Sequence, residues 1–349
     1  MSVFYEIKNN TLKIVLFLAI FLIFYFLEIA FLKSPHRSDV AYENNNFKVF
    51  GLNIPSNLRF CNEPIPVDNY EIRTNLEGEF FTNKYWKNNS AILFNKVAKW
   101  FPYIEPILKQ EGVPDDIKYI AVIESHLSNQ ASPAGAVGFW QLMPSAARNY
   151  GLIVNDEVDE RLDVEKSTHA ACKFFKDAHK RFNNWTLSAA AYNLGMGGIE
   201  RALKEQKTNN YYDLLLNQQT GEFVYRLMAY KTLLSSPMHF GIKRNKIKYY
   251  SKIPVKVVSI DSSITDLNYL AKYLKCNKTQ IKLLNPWLLK GTLHNPDGQV
   301  YKFKIQKNLK KDYSMYYLDL ISEDGYMYDR EEPESIELPK LDSLASKSN

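Results

Sequence analysis

The 349-residue chain combines 46% hydrophobic with 23% charged residues, which excludes a wholly disordered or collagen-like protein. Its length leaves room for about two domains of roughly 150 residues each. The net charge of +6 is weakly basic, and the three distant cysteines fit neither a zinc site nor a dense disulfide framework. The histidines also lack metal-ligand spacing, so we predict no metal, no other cofactor and no nucleic acid partner.

An apolar segment near the start of the chain predicts a membrane anchor. Residues 14–32 lie between two lysines and contain a single charged residue. A helix of that length spans about 28 Å, close to the thickness of the bilayer core. The segment ends without a small-residue cleavage site, so we predict an uncleaved transmembrane signal anchor after a cytoplasmic N-terminus at 1–13. Residues 33–66 contain four prolines and are predicted to be a juxtamembrane linker.

Apolar residues recur at helical spacing between residues 67 and 245, which predicts a mainly α-helical domain. Phe94, Val97 and Phe101 form one such stripe. Pro114, followed by two aspartates, is typical of a helix start. A stretch rich in Gly, Ser and Pro between residues 128 and 144 is too irregular to be helical throughout. We therefore expect a helical domain that contains an irregular segment.

The pattern changes over residues 252–307, where a strand, two helices and a second strand are predicted in that order. The helices are expected around 267–274 and 279–284. This order indicates a small α+β module. Residues 311–349 contain few apolar clusters and include an acidic run, which predicts a disordered tail.

One carboxylate, Glu124, lies on the apolar face of a predicted helix. Ile117, Ile120, Ala121 and Glu124 stand at positions i, i+3, i+4 and i+7. A carboxylate in that place has two interpretations. It forms a structural ion pair with a lysine or arginine, or it is partly desolvated, has a raised pKa and serves as a general acid.

Two further groups of residues are candidates for sugar binding. In the Gly-rich stretch, Trp140 offers a flat apolar face for a sugar ring, and Gln141 offers both a donor and an acceptor. Tyr192 and Asn193 close an apolar helix and provide further hydrogen-bonding groups. Each group also has a structural interpretation: Trp140 as a core residue, and the run from Asn193 to Gly195 as a helix cap.

Together, in this order, these motifs resemble those of the lytic transglycosylases of the lysozyme superfamily, glycoside hydrolase family 23. The chain is similar to their membrane-bound murein transglycosylase D type. The resemblance runs from about Tyr70 to Ile242 and implies a lysozyme-like helical fold. The matching runs are Glu124–Ser125, Gly138–Gln141, Met143–Pro144, Asp159–Asp163 and Ala191–Gly195.

The resemblance also implies an activity and roles for the site residues. Enzymes of this family cleave the β-1,4 bond between N-acetylmuramic acid and N-acetylglucosamine and leave 1,6-anhydromuramoyl ends. By resemblance, Glu124 is the single acid/base and Ser132 orients the N-acetyl group of the substrate. Gln141, Tyr192 and Asn193 match positions in the substrate groove. A conventional glycosidase uses two carboxylates. Only one carboxylate lies in the runs Glu124–Ser125, Gly138–Gln141 and Ala191–Gly195, so the substrate's own N-acetyl oxygen and C6 hydroxyl are expected to complete the reaction.

The chain departs from the family in a fourth motif, Glu-Thr-x-x-Tyr-Val. The aligned run is Gln219–Val224, in which Phe223 replaces a tyrosine that lines the catalytic centre. On a helix Tyr225 would point about 200° away from that position. Two alternatives stay open: a catalytically weak or inactive peptidoglycan-binding scaffold, and a hydrolytic muramidase whose second carboxylate comes from residues 156–163. For Asp163 and its neighbours, helix capping is the favoured interpretation.

Residues 252–307 resemble a degenerate LysM domain, a class that binds glycans containing N-acetylglucosamine. The first strand lacks the usual tyrosine and Gly-Asp turn, so a structural cap on the helical domain is the alternative. The predicted partners are peptidoglycan glycan strands and, through residues 14–32, the cytoplasmic membrane. Because peptidoglycan lies outside that membrane, we predict a single-pass membrane protein with its catalytic domain in the periplasm.

Overall fold

A computed structural model describes residues 55–82, 90–236 and 253–307, which all lie in one compact unit. The predicted cytoplasmic N-terminus, membrane anchor and acidic tail fall outside these residues, as does most of the linker. Within the described ranges, no helix is both long and apolar enough to cross a membrane.

The body is mainly helical, as predicted. It begins with a short antiparallel pair, β1 (Arg59–Phe60) and β2 (Glu63–Pro64). The α-helices that follow are α1 (Tyr70–Thr82), α2 (Ser90–Glu111), α3 (Lys118–Ser125), α4 (Pro144–Asn149), α5 (Val164–Phe182), α6 (Trp185–Leu194), α7 (Met196–Gln206), α8 (Gln218–Gly221) and α9 (Phe223–Ser235). Single 3-10 turns lie at Asp115–Ile117, Glu160–Leu162 and Tyr211–Asp213.

Local sequence sets both ends of α3. Gly112 has a φ of 68° and ends α2, and Pro114 then precedes a 3-10 turn that leads into α3. At the other end His126 takes a left-handed conformation, and its amide donates to the carbonyl of Val122 at 2.8 Å. The helix start predicted at Pro114 is confirmed.

Helix α3 runs through the core of the body, where it packs against α2 and α9. Ile117, Ile120 and Ala121 are fully buried, and so is Ser125 near the end of the helix. Burying a side chain the size of isoleucine stabilises the fold by about 1.5–3 kcal/mol. Because α3 is enclosed on most sides, its last turn places Glu124 against the core.

The C-terminal module has the predicted strand–helix–helix–strand order. Its elements are β3 (Val255–Ile260), α10 (Leu267–Tyr273), α11 (Lys278–Leu284) and β4 (Tyr301–Gln306). The two strands pair antiparallel, with Val255 opposite Gln306 and Ile260 opposite Tyr301. Trp287 and Phe303 are fully buried between the strands and helices.

The module is joined to the loop that precedes α5. Val158 in that loop is fully buried in the module's apolar core. The amide of Asp159 donates to the carbonyl of Trp287, and the amide of Leu289 donates to the carbonyl of Glu157, each at 2.8 Å. Apolar contact and backbone hydrogen bonding therefore both connect the module to the helical body.

Candidate active site

Glu124 lies in the last turn of α3 and is partly exposed to solvent. Its carboxylate forms no hydrogen bond or ion pair with any residue that the structure describes. Burial raises the pKa of Glu124 to about 7, and the positive charge of Arg226 opposes this rise. Of the two interpretations of this carboxylate, the structure fits the partly desolvated acid.

The end of α3 is held from two sides. The hydroxyl of Ser125 donates to the carbonyl of Phe139 at 2.8 Å and so ties the helix to the Gly-rich stretch. A ring nitrogen of His126 lies 3.2 Å from the hydroxyl of Tyr230 on α9. These contacts fix the backbone on which the Glu124 side chain is mounted.

The Gly-rich stretch folds into a tight loop over residues 130–142, here called the Gly-rich loop. The amide of Ala136 donates to Ser132 Oγ at 3.0 Å. Gln141 Nε2 donates to the carbonyls of Gln130 and Gly138 at 3.0 and 2.9 Å. These bonds occupy one acceptor site of Ser132 and the amide donors of Gln141. The hydroxyl proton of Ser132 and Gln141 Oε1 remain available to bind a ligand.

Arg161 braces the Gly-rich loop from outside it. Its guanidinium binds both carboxylate oxygens of Asp159, at 2.9 and 2.7 Å. It also donates to the carbonyls of Gly135 and Leu142, at 2.9 and 3.0 Å. The amide of Asp159 donates to the carbonyl of Trp287 in the C-terminal module. Hydrogen bonds through Asp159 and Arg161 therefore connect the module to the Gly-rich loop.

Gly138 lies where the Gly-rich loop crosses the backbone of Arg161. A Cβ atom on Gly138 would stand 2.1 Å from the carbonyl oxygen of Arg161, whereas one on Gly135 would meet nothing within 4 Å. The φ angles of the two glycines are similar, +83° and +88°. We expect Gly138→Ala to lower the free energy of unfolding by about 3 kcal/mol or more, and Gly135→Ala by about 1 kcal/mol. Urea denaturation of both variants checks this, and equal losses would contradict the close approach.

Trp140 is a core residue, so the sequence-based prediction of a sugar-stacking ring does not hold for its side chain. The ring is fully buried, packs against Phe175, and donates from Nε1 to Thr168 Oγ1 at 2.9 Å. A ring enclosed in this way has no face left for a sugar. The backbone carbonyl of Trp140, in contrast, accepts a hydrogen bond from the hydroxyl of Tyr192.

Tyr192 and Asn193 lie at the end of α6. The ring of Tyr192 stacks on Phe175 with a centroid distance of 5.0 Å. Burial and the negative charge of Glu124 raise the pKa of Tyr192 well above its ordinary value, which keeps the hydroxyl protonated. Asn193 Oδ1 accepts a hydrogen bond from Thr220 at 2.9 Å. The fold thus brings Tyr192 and the Gly-rich loop together beside Glu124.

Residues 102–215 match the family model of the transglycosylase SLT domain, and residues 256–308 match the soluble lytic transglycosylase C-terminal LysM-like domain. A putative tributyltin chloride resistance protein of Alteromonas sp. is 31% identical over 153 residues, which cover 43% of this chain and 72% of that protein. The chain belongs to the transglycosylase SLT family. Every candidate site residue predicted from the sequence lies within the SLT match.

Another relative is the membrane-bound lytic murein transglycosylase D of Escherichia coli. It is 32% identical over 169 residues, which cover 46% of this chain and 37% of the relative. The chain thus spans little more than a third of that relative's length. Among solved structures, a lytic transglycosylase Slt from Pseudomonas aeruginosa has 20% identity and a TM-score of 0.34, covering 43% of this chain and 26% of that chain.

The SLT match ends before Gln219–Val224, the run predicted to align with the family's fourth motif. Phe223 begins α9 and is buried. Tyr225 packs beside Tyr211 and Tyr212, with ring centroids 6.4 Å from each. Tyr225 therefore belongs to an aromatic cluster with Tyr211 and Tyr212.

The acids near residue 160 make structural contacts within the SLT domain. Asp163 accepts hydrogen bonds from backbone amides in the first turn of α5, which confirms the capping interpretation. Asp159 is bound to Arg161, and Glu160 forms an ion pair with Lys166. A hydrolytic muramidase would require a second reacting carboxylate. Because these carboxylates already cap a helix or form ion pairs, they do not favour that alternative.

Sequence reasoning missed Arg226, the residue whose charge acts on Glu124. Arg226 lies on α9, outside the SLT match, and its only sequence signal is the i, i+4 spacing from Glu222. That spacing predicts a surface ion pair and gives no indication of a distant partner.

Proposed function

We propose that the protein is a peptidoglycan lytic transglycosylase in which Glu124 is the single acid/base catalyst. The observation that carries this proposal is the partly buried carboxylate, whose pKa of about 7 suits a group that both donates and accepts a proton near neutral pH. The SLT match and the name of the Escherichia coli relative support murein as the substrate.

The proposed reaction needs no second carboxylate and no added water. The protonated Glu124 gives its proton to the glycosidic oxygen as the bond between that oxygen and C1 of the muramoyl residue breaks. The substrate's N-acetyl oxygen stabilises the positive charge that develops at C1. The muramoyl C6 hydroxyl then attacks C1, and Glu124 takes the hydroxyl proton. The products are a 1,6-anhydro end and a free N-acetylglucosamine end, and Glu124 is again protonated.

The residues around Glu124 supply hydrogen bonds for this reaction. In this proposal the Ser132 hydroxyl donates to the N-acetyl oxygen, and Gln141 Oε1 accepts from a sugar hydroxyl or amide. Tyr192 serves mainly as a positioning residue, since its hydroxyl is already used by the carbonyl of Trp140. Asn193 keeps its amide nitrogen for the glycan while its oxygen is bonded to Thr220.

Activity is expected to fall as the pH rises through about 7. The protonated form of Glu124 starts the reaction, and a pKa of about 7 keeps this form abundant at neutral pH. We expect kcat/KM on soluble glycan strands to decrease about tenfold per pH unit on the alkaline side. A carboxyl group with the ordinary pKa of 4.5 would already lose activity near pH 5, and an alkaline limb at that pH would contradict the proposal.

The direct test of the activity is the release of soluble glycan from isolated sacculi by the purified protein. We expect release without any added metal or cofactor. The alternative, a wall-binding scaffold, is favoured by the predicted alignment of Phe223, a buried residue, with the family tyrosine. A protein that pellets with sacculi but releases no sugar would support the scaffold and exclude the enzyme.

We also propose that the protein is a single-pass protein of the cytoplasmic membrane with its SLT domain in the periplasm. The apolar residues 14–32 and the extracytoplasmic location of peptidoglycan support this topology. Protease added to spheroplasts is expected to degrade the SLT domain. Full protection of that domain would place it in the cytoplasm and contradict the topology.

A further inference from the structure

A cluster of three charged side chains lies at the junction of α1 and α9. Arg226 Nε and Nη2 donate to the two carboxylate oxygens of Glu79, at 3.2 and 2.9 Å. Arg226 Nη2 also reaches Glu222 at 3.1 Å. The Glu79 side chain is only 9% exposed, whereas that of Glu222 is 40% exposed. The two-pronged, partly buried contact with Glu79 is therefore the stronger restraint on Arg226.

Helix α9 carries this arginine to the neighbourhood of Glu124. It packs against α1 on one side and α3 on another. Tyr230, one helical turn beyond Arg226, contacts His126, which follows Glu124 by two residues. Among the described residues, Glu79 from α1 and Glu222 at the start of α9 bind Arg226. His126 follows the end of α3 and contacts Tyr230, and the charge of Glu124 acts on Tyr192 from α6.

We propose that Glu79 is a positioning residue that holds Arg226 as a fixed, partly neutralised positive charge beside Glu124, and so sets the pH range over which Glu124 acts as the acid. The proposal rests on the proposed function of Glu124. Neither Glu79 nor Arg226 lies in the SLT match, so this control comes from the flanking helices of the body.

Charge balance gives the direction of the effect. Arg226 favours the ionised form of Glu124, and the carboxylate of Glu79 offsets much of that positive charge. Without Glu79, the guanidinium keeps Glu222, a side chain that is 40% exposed, as its partner among the described residues and presents more positive charge to Glu124. The pKa of Glu124 would then fall. Without Arg226 the pKa of Glu124 would rise.

The test compares Glu79→Gln and Arg226→Gln in the full chain, with Glu222→Gln as the matched control. Two quantities are measured: the titration midpoint of Glu124, followed by carbon-13 NMR of labelled glutamate with Glu124→Gln for assignment, and the alkaline limb of the pH–activity profile. We expect Glu79→Gln to lower the midpoint by about 0.5–1 pH unit and Arg226→Gln to raise it. Glu222→Gln is expected to change it less, because water screens its exposed carboxylate.

A merely structural role of Glu79 would not shift the Glu124 midpoint in opposite directions in Glu79→Gln and Arg226→Gln. An unchanged midpoint in Glu79→Gln, or shifts of both variants in the same direction, would overturn the proposal. If Glu79→Gln does not fold, the upward shift in Arg226→Gln is still required, and its absence would overturn the proposal equally. If the midpoints shift as expected while the wild-type protein releases no glycan, the positioning role stands and the proposed function fails.

Discussion

Glu124→Gln is expected to lower the rate of glycan release from sacculi by about 10²- to 10⁴-fold, because an amide cannot give a proton to the glycosidic oxygen. The Gly-rich loop and the stacked Tyr192 are expected to remain in place, since the carboxylate forms no bond with the described residues. The measurement is the initial rate of soluble sugar release at pH 6. Glu205→Gln, an exposed glutamate on α7, is the control and is expected to keep the wild-type rate.

The stability of Glu124→Gln distinguishes loss of catalysis from loss of folding. Burial raises the pKa of Glu124 from 4.5 to about 7, so the folded state disfavours the ionised form. The resulting penalty is absent below about pH 4.5, grows as the pH rises, and is complete above about pH 7, where it is of order 3 kcal/mol. We therefore expect Glu124→Gln to be at least as stable as the wild type at pH 8. A variant that is inactive and also unfolded at pH 8 would contradict this account.

Arg161→Met is expected to have the largest effect on stability. The variant leaves Asp159 as a buried, unpaired carboxylate and removes the donors to Gly135 and Leu142. Breaking a buried ion pair on one side costs about 3–5 kcal/mol. The Gly-rich loop also loses its brace, so we expect hydrogen exchange of its amides to accelerate and glycan release to fall with it.

Arg148→Met is the matched control for that variant. Arg148 is exposed and donates one hydrogen bond, to the carbonyl of Val154 at 2.9 Å. Its loss is expected to cost less than about 1 kcal/mol, because solvent replaces an exposed contact easily. Thermal denaturation and hydrogen exchange of the two variants give the comparison. Similar melting temperatures would show that Arg161 does not brace the loop.

The position of Glu124 could be predicted because it depends on local spacing. The apolar residues of α3 recur at helical intervals, and the carboxylate falls on the same stripe. Whether the Trp140 ring is buried or exposed could not be predicted in the same way. An aromatic side chain with one N–H suits a sugar groove and a core equally well, and its burial is decided by Thr168 and Phe175 on α5, far along the chain.

The C-terminal module also combines features that the sequence predicts with features that it does not predict. Its strand and helix order follows from short-range patterns, and the structure has that order. Its attachment to the body does not follow from them, because Val158 belongs to the body in sequence and to the module's core in space. The ion pair between Glu79 and Arg226 could not be predicted from the sequence either, because it joins the first and last helices of the body.

Mass spectrometry of the sugars that the protein releases from purified sacculi distinguishes a lytic transglycosylase from a hydrolase. A single acid/base catalyst with an internal C6 nucleophile predicts muropeptides with 1,6-anhydro ends and no reducing muramic acid. Products heavier by one water, with reducing ends, would mean that water is the nucleophile. That result would contradict the account and would require a second carboxylate in the site.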